Sequence, residues 1–186
     1  MSDIKVYHEK QVFLRCGMHC VNNLLQGPYF TAEDFEVIGA NLNNPQIASV
    51  GGARYTRFFG NFDANVIAAA LDTLDFGCDW VGKKSREELR YLCDSPRLLG
   101  FLVNESSFFT RHWWTIRKFI SSYGTPVWSK IDSKDTEVTM ISDSGIITEL
   151  TNLLEVGAST QIIAVSLTEN VPPTFSAIEY LNTLRK

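Results

Sequence analysis

Cys16, Gln11, His112 and Asp132 are the residue types of thiolate chemistry, spread over two distant parts of the chain. Cys16, Cys20, Val21, Leu24 and Leu25 recur at helical spacing, which predicts a helix from about Cys16 to Gln26 with Cys16 at its start. The positive end of a helix stabilises a thiolate. An imidazole that takes the thiol proton does so as well, and a carboxylate behind the ring fixes its tautomer and orientation. Gln11, five residues before Cys16, offers a side-chain amide to a developing oxyanion, with the Cys16 N–H as a second donor.

Each residue also has a plainer role. A lone cysteine on an apolar helix face is more often core than catalytic, and Cys20, Cys78 and Cys93 are assigned that way. His112, beside Trp113 and Trp114, has the surroundings of a packed strand histidine, and Asp132 those of a solvated strand-end charge. Cys16, His19 and Cys20 together are zinc-ligand types. Structural zinc sites, however, usually show two short-spaced pairs, and Cys78 and Cys93 lie far from each other and from His112. No metal and no other cofactor is therefore expected. A Cys16–Cys20 disulfide is disfavoured by the helical spacing.

The whole chain narrows the setting. Its 186 residues, 45% hydrophobic and 20% charged, suit one globular domain over residues 1–186 with a full-sized core. The net charge of -4, with no stripe of lysine and arginine, argues against nucleic acid as a partner. No stretch approaches the roughly 18 apolar residues of a membrane span. The opening MSDIKVYHEK has no apolar signal core, so a cytoplasmic location is expected, with the nucleus as a further admissible one, and free thiols. A monomer is the expected state.

Further helices are expected at TAEDFEVIGANL behind a Thr31 cap, at NFDANVIAAALDTL, at SREELRYLC with a Ser85–Glu88 capping box, over about Ser144 to Val156, and after Pro172-Pro173. RLLGFLVN, HWWTIRKF, PVWSKID and TQIIAVSL read as strands. Helices first and a mostly antiparallel sheet afterwards predict an α+β domain. HWWTIRKF and PVWSKID flank a turn, and His112 and Asp132 both lie ten positions from Ser122. A hairpin folded near there places them opposite or nearly so on one face, the long loop leaving the register open by a residue or two, with the Asp132 carboxylate accepting from Nδ1–H of His112 and Nε2 facing Cys16.

HEKQ-x4-C-x2-HC-x-NNLLQG resembles the opening signature of the Josephin domain, the papain-like cysteine deubiquitinase module of ataxin-3 and of short stand-alone proteins. GNFDANVIAAALDTL resembles the stand-alone branch, RHWWTIRK the histidine strand, and VWSKIDS the strand with the third catalytic residue. The resemblance implies a papain-like fold with a helical hairpin over about Thr31 to Gly60 that helps hold ubiquitin. It makes Cys16 the nucleophile, His112 the base and later acid, Asp132 the residue that orients it, and Gln11 the oxyanion-hole glutamine. His19 has no catalytic role in the family and is expected to be structural. Two departures stand out: Arg15 replaces a usually apolar residue before the nucleophile, and the FISSYGTP turn is longer than usual. No ubiquitin-interacting helix or polyglutamine tract is expected after the domain.

The activity so implied is hydrolysis of the bond after the ubiquitin C-terminal glycine through an acyl-enzyme, with ubiquitin and its conjugates as partners. Two rivals are a ubiquitin-binding pseudo-enzyme and a papain-like hydrolase of another substrate.

Overall fold

The computed structural model describes residues 4–12, 15–42, 64–106, 111–155 and 159–184. Three helices come first: α1 (Cys16–Leu25), α2 (Ala32–Leu42) and α3 (Ala64–Asp72). Then follow β1 (Phe76–Val81), α4 (Arg86–Asp94), β2 (Leu98–Ser106), β3 (Arg111–Ile120), β4 (Pro126–Ile131), β5 (Thr139–Ser142), α5 (Ile146–Glu155), β6 (Thr160–Leu167) and α6 (Ala177–Leu184).

The strands form one sheet in the order β1-β6-β2-β3-β4-β5, and every described pairing is antiparallel. Side-chain alternation divides the apolar residues between two cores. Ile163, Val165 and Leu167 of β6 join Trp113 and residues of α1, α2, α3 and α6 on one face. Ile162 and Ala164 join Trp114, Ile116, Trp128 and residues of α4 and α5 on the other. Strands covered on both faces read as continuous apolar runs, which is how β2 and β6 stand out in the sequence.

The two edge strands, β1 and β5, do not show in the sequence. FGCDWV carries a glycine and an aspartate, and TMIS is four residues long and largely exposed, so neither has the branched, alternating pattern of a strand. Partner strands supply what their own propensities lack. Of the expected Thr31–Gly60 hairpin, the described residues include the helix α2, and residues 43–63 lie outside them.

A register shift in β2 at Leu98/Gly100 exchanges its two faces: Leu98 and Phe101 enter one core, Leu99 and Leu102 the other. Any Cβ at Gly100 would collide with the Ile116 carbonyl and with Leu24 of α1. The glycine therefore lets α1 lie close against the sheet, beside β3. That approach carries the first residue of α1 to the histidine strand.

Candidate active site

Cys16 is the first residue of α1 and is buried. No side chain caps the helix at Arg15, and helix starts of this kind present main-chain N–H groups to anions.

His112 lies near the start of β3, and Asp132 one residue beyond β4. The β3–β4 ladder pairs Thr115 with Ile131 and Ile120 with Pro126, so the hairpin is centred on Tyr123, one residue beyond Ser122. Extended by one step, this register puts Asp132 across from Trp114. His112, two residues further, stays on the same face but becomes a diagonal neighbour. The structure still brings the two together: His112 Nε2 lies 2.7 Å from Asp132 Oδ1.

The ring nitrogens are used the other way round from the sequence expectation. Nε2, not Nδ1, donates to Asp132. Diagonal positions are some 7–8 Å apart between strands, against about 5 Å for direct partners, so the far nitrogen of the ring is the one that spans the gap. Nδ1 is buried and completes no hydrogen bond among the described residues, which leaves it for the thiol of Cys16.

Burial alone would lower the His112 pKa. The hydrogen bond to Asp132, the neighbouring Cys16 side chain and the Asp132 charge outweigh burial and the repulsion of Lys134, raising the imidazole to about 9. For Asp132, burial pulls upward but the bonds from His112 and from the Lys134 N–H hold the carboxyl below its usual range. The pair is thus carboxylate and imidazolium at neutral pH.

Gln11 is tied to the same corner. Its N–H donates to the Ser133 carbonyl at 2.9 Å, and the Ser133 hydroxyl lies 3.4 Å from Oε1. Ser133 is buried, and sequence reasoning passed over it. His19 also gains a definite role. Its Nε2 accepts the Val12 N–H and its Nδ1–H donates to Glu9 Oε1, which fastens the Gln11 segment to α1. The legible signal was the row of polar residues His19, Asn23 and Gln26, four and three positions apart along α1 and its C-cap.

Burial pushes Cys78 and Cys93 up to about 12 and Cys20 well above its ordinary value. Among the described residues, no group of three or more His, Cys, Asp or Glu is placed to hold a metal ion, and no helix is long and apolar enough to cross a membrane.

Comparison with known proteins bears on the family of the chain. The Josephin family profile matches residues 11–164. A Josephin-like protein of Arabidopsis thaliana is 30% identical over 147 residues, covering 71% of this chain and 39% of that protein. Ataxin-3 of Homo sapiens is 29% identical over 173 residues, covering 85% of this chain and 45% of that protein. Josephin-2 of Mus musculus is 31% identical over 137 residues, covering 66% of this chain and 68% of that protein. The chain thus spans less than half the length of the first two relatives. A profile running from Gln11 through the His112 strand to β6, on an α+β fold of helices and an antiparallel sheet, places the chain in the Josephin family.

Proposed function

We propose that the chain is a thiol-dependent ubiquitin hydrolase that cleaves the bond after the ubiquitin C-terminal glycine. The observation that carries the reading is the 2.7 Å His112–Asp132 pair, whose remaining ring nitrogen is left for a cysteine at a helix start. Family membership supplies the substrate class that the Josephin resemblance implies. The Cys16 thiolate attacks the glycine carbonyl carbon. The oxyanion is held by the Cys16 N–H and Gln11 Nε2. His112 then gives the proton on Nδ1 to the leaving amine, and a thioester remains. Water attacks the thioester as His112 takes its proton, and ubiquitin leaves with a free carboxylate. Asp132 keeps Nε2–H occupied throughout, so Nδ1 is the nitrogen that exchanges protons.

A ubiquitin derivative with a C-terminal electrophile tests the proposal. The expected result is a covalent adduct at Cys16, absent in Cys16→Ala, together with release of a fluorescent C-terminal amide. Binding without capture would instead indicate a pseudo-enzyme. Neither binding nor capture would indicate a different substrate.

A further inference from the structure

The main chain of Asp132 lies beyond the last β3–β4 pair, Thr115–Ile131, so the ladder does not fix it. A segment from the far end of the chain does. His8 Nε2 lies 2.8 Å from the Asp132 carbonyl oxygen, Lys10 Nζ reaches the Asp135 carbonyl, and the Gln11 N–H donates to the Ser133 carbonyl. The same segment is bound to α1 and its C-cap residue by three main-chain donors. The Tyr7 N–H donates to Gln26 Oε1 at 2.8 Å, the Glu9 N–H to Asn23 Oδ1 at 2.6 Å, and the Val12 N–H to His19 Nε2 at 3.1 Å. Odd residues 7 and 9 face the helix that carries Cys16, and even residues 8 and 10 face the loop that carries Asp132. Residues 7–12 therefore form a strap between the two.

We propose that His8 is a positioning residue for the Asp132 carboxylate, its imidazole N–H fixing the Asp132 carbonyl so that Oδ1 meets His112. The proposal rests on the reading of Cys16, His112 and Asp132 as the reacting group. His8 touches neither Cys16 nor His112 in the hydrogen-bond network and acts only through Asp132. Of the bonds that hold Asp132, two come from main-chain N–H groups within three residues of it, Lys134 to Oδ1 and Asp135 to the carbonyl, and these move with the loop. The His8 bond is the one that ties the Asp132 carbonyl to the Cys16 helix through the strap. A loosened loop weakens both the hydrogen bond and the charge that Asp132 lends to the ring. What remains around the imidazole is burial and Lys134, which lower its pKa, and Cys16, which raises it.

The test uses His8→Gln, which keeps an N–H donor at similar reach, and His8→Met, which keeps the length and loses the donor. In the free protein, the His112 imidazole is titrated by NMR, and the pH dependence of Cys16 alkylation by iodoacetamide is measured beside it. His8→Met is expected to lower the His112 midpoint by about one unit and to lower kcat on a ubiquitin C-terminal amide about tenfold, with KM within about twofold. His8→Gln should restore both to near the wild-type values. A folded His8→Met protein with the wild-type titration overturns the proposal. If the Met variant does not fold, His8→Gln decides, since a folded Gln variant with a lowered midpoint overturns it and an unchanged one supports it. The titration and alkylation need no ubiquitin. A shifted midpoint in a protein whose wild type cleaves no ubiquitin amide would keep the role of His8 and discard the substrate.

Discussion

Strand β3 carries two basic side chains that each lie beside a buried cysteine, and the surroundings of the two differ. Near its start, His112 meets Cys16, the first residue of α1. Six residues on, Lys118 meets Cys93, in the last turn of α4. The Lys118 ammonium spends its donors on the Cys93 and Ser95 carbonyls, at 2.6 and 2.9 Å, and lies over the Trp128 ring. It closes the negative end of a helix. Burial drives the Cys93 thiol up to about 12, even though Arg90 and Lys118 pull the other way. A cation beside a cysteine does not by itself make a nucleophile. The helix end must favour the anion, and the base must keep a nitrogen unspent.

Exchanging the roles gives the largest expected effect. Cys16→Ala should remove ubiquitin hydrolysis altogether, while Cys93→Ala should keep wild-type kcat/KM and lose about 1 kcal/mol of stability for one small buried side chain. Parallel turnover assays and urea melts check both. Measurable turnover by Cys16→Ala would break the comparison at its centre.

The donors come next. Gln11→Ala removes an oxyanion donor and should lower kcat by about 10²–10³ with little change in KM, because the bond forms mainly in the transition state. A change confined to KM would move Gln11 to substrate binding. Lys118→Met strands two helix-end carbonyls and should cost about 2–3 kcal/mol in urea melts, with kcat per folded molecule unchanged. A fall in kcat at constant stability would mean that the two sites are coupled along β3.

A smaller effect separates charge from orientation at Asp132. Asparagine keeps an acceptor for Nε2–H but brings no charge, so Asp132→Asn should retain clearly more activity than Asp132→Ala. The alkaline limb of its kcat/KM profile should also move to lower pH, because the imidazolium loses its stabilising neighbour. Equal activity of the two variants would make Asp132 a bystander.

The least of the expected changes is in stability against pH. The folded His112 pKa, about 9, lies above the free value of 6.5. The imidazolium therefore stabilises the fold fully below about pH 6.5, and the contribution is lost as pH rises through about 9. Asp132 shifts the other way, so its contribution is present above the ordinary carboxylate range and is lost as pH falls through its lowered pKa. Urea melts of wild type and His112→Gln at about pH 6, 8 and 10 should converge at the alkaline end. A gap that is constant across that range would show that the charge on His112 contributes nothing to stability.

Local rules were legible in the sequence wherever one segment satisfies its own demands. The Ser85–Glu88 capping box forms with both halves bonded, the Ser85 N–H to Glu88 Oε2 at 2.7 Å and the Glu88 N–H to Ser85 Oγ at 3.2 Å. The apolar period placed α1, and with it Cys16, within a residue at each end. The period of two put His112 and Asp132 on one face of a hairpin even with the centre misjudged by a residue, because a register shift of two restores the face. Which ring nitrogen meets the carboxylate was decided by the diagonal reach that the true register imposes. The edge strands β1 and β5 were decided by their partners, since an edge borrows its pairing from a neighbour already in place. The strap from Tyr7 to Val12 was set by residues 7–26 and 132–135 meeting across the fold. Sequence fixes which groups exist and which way each local segment turns them, but bonds between segments more than a hundred residues apart exist only once the two cores have closed on the sheet.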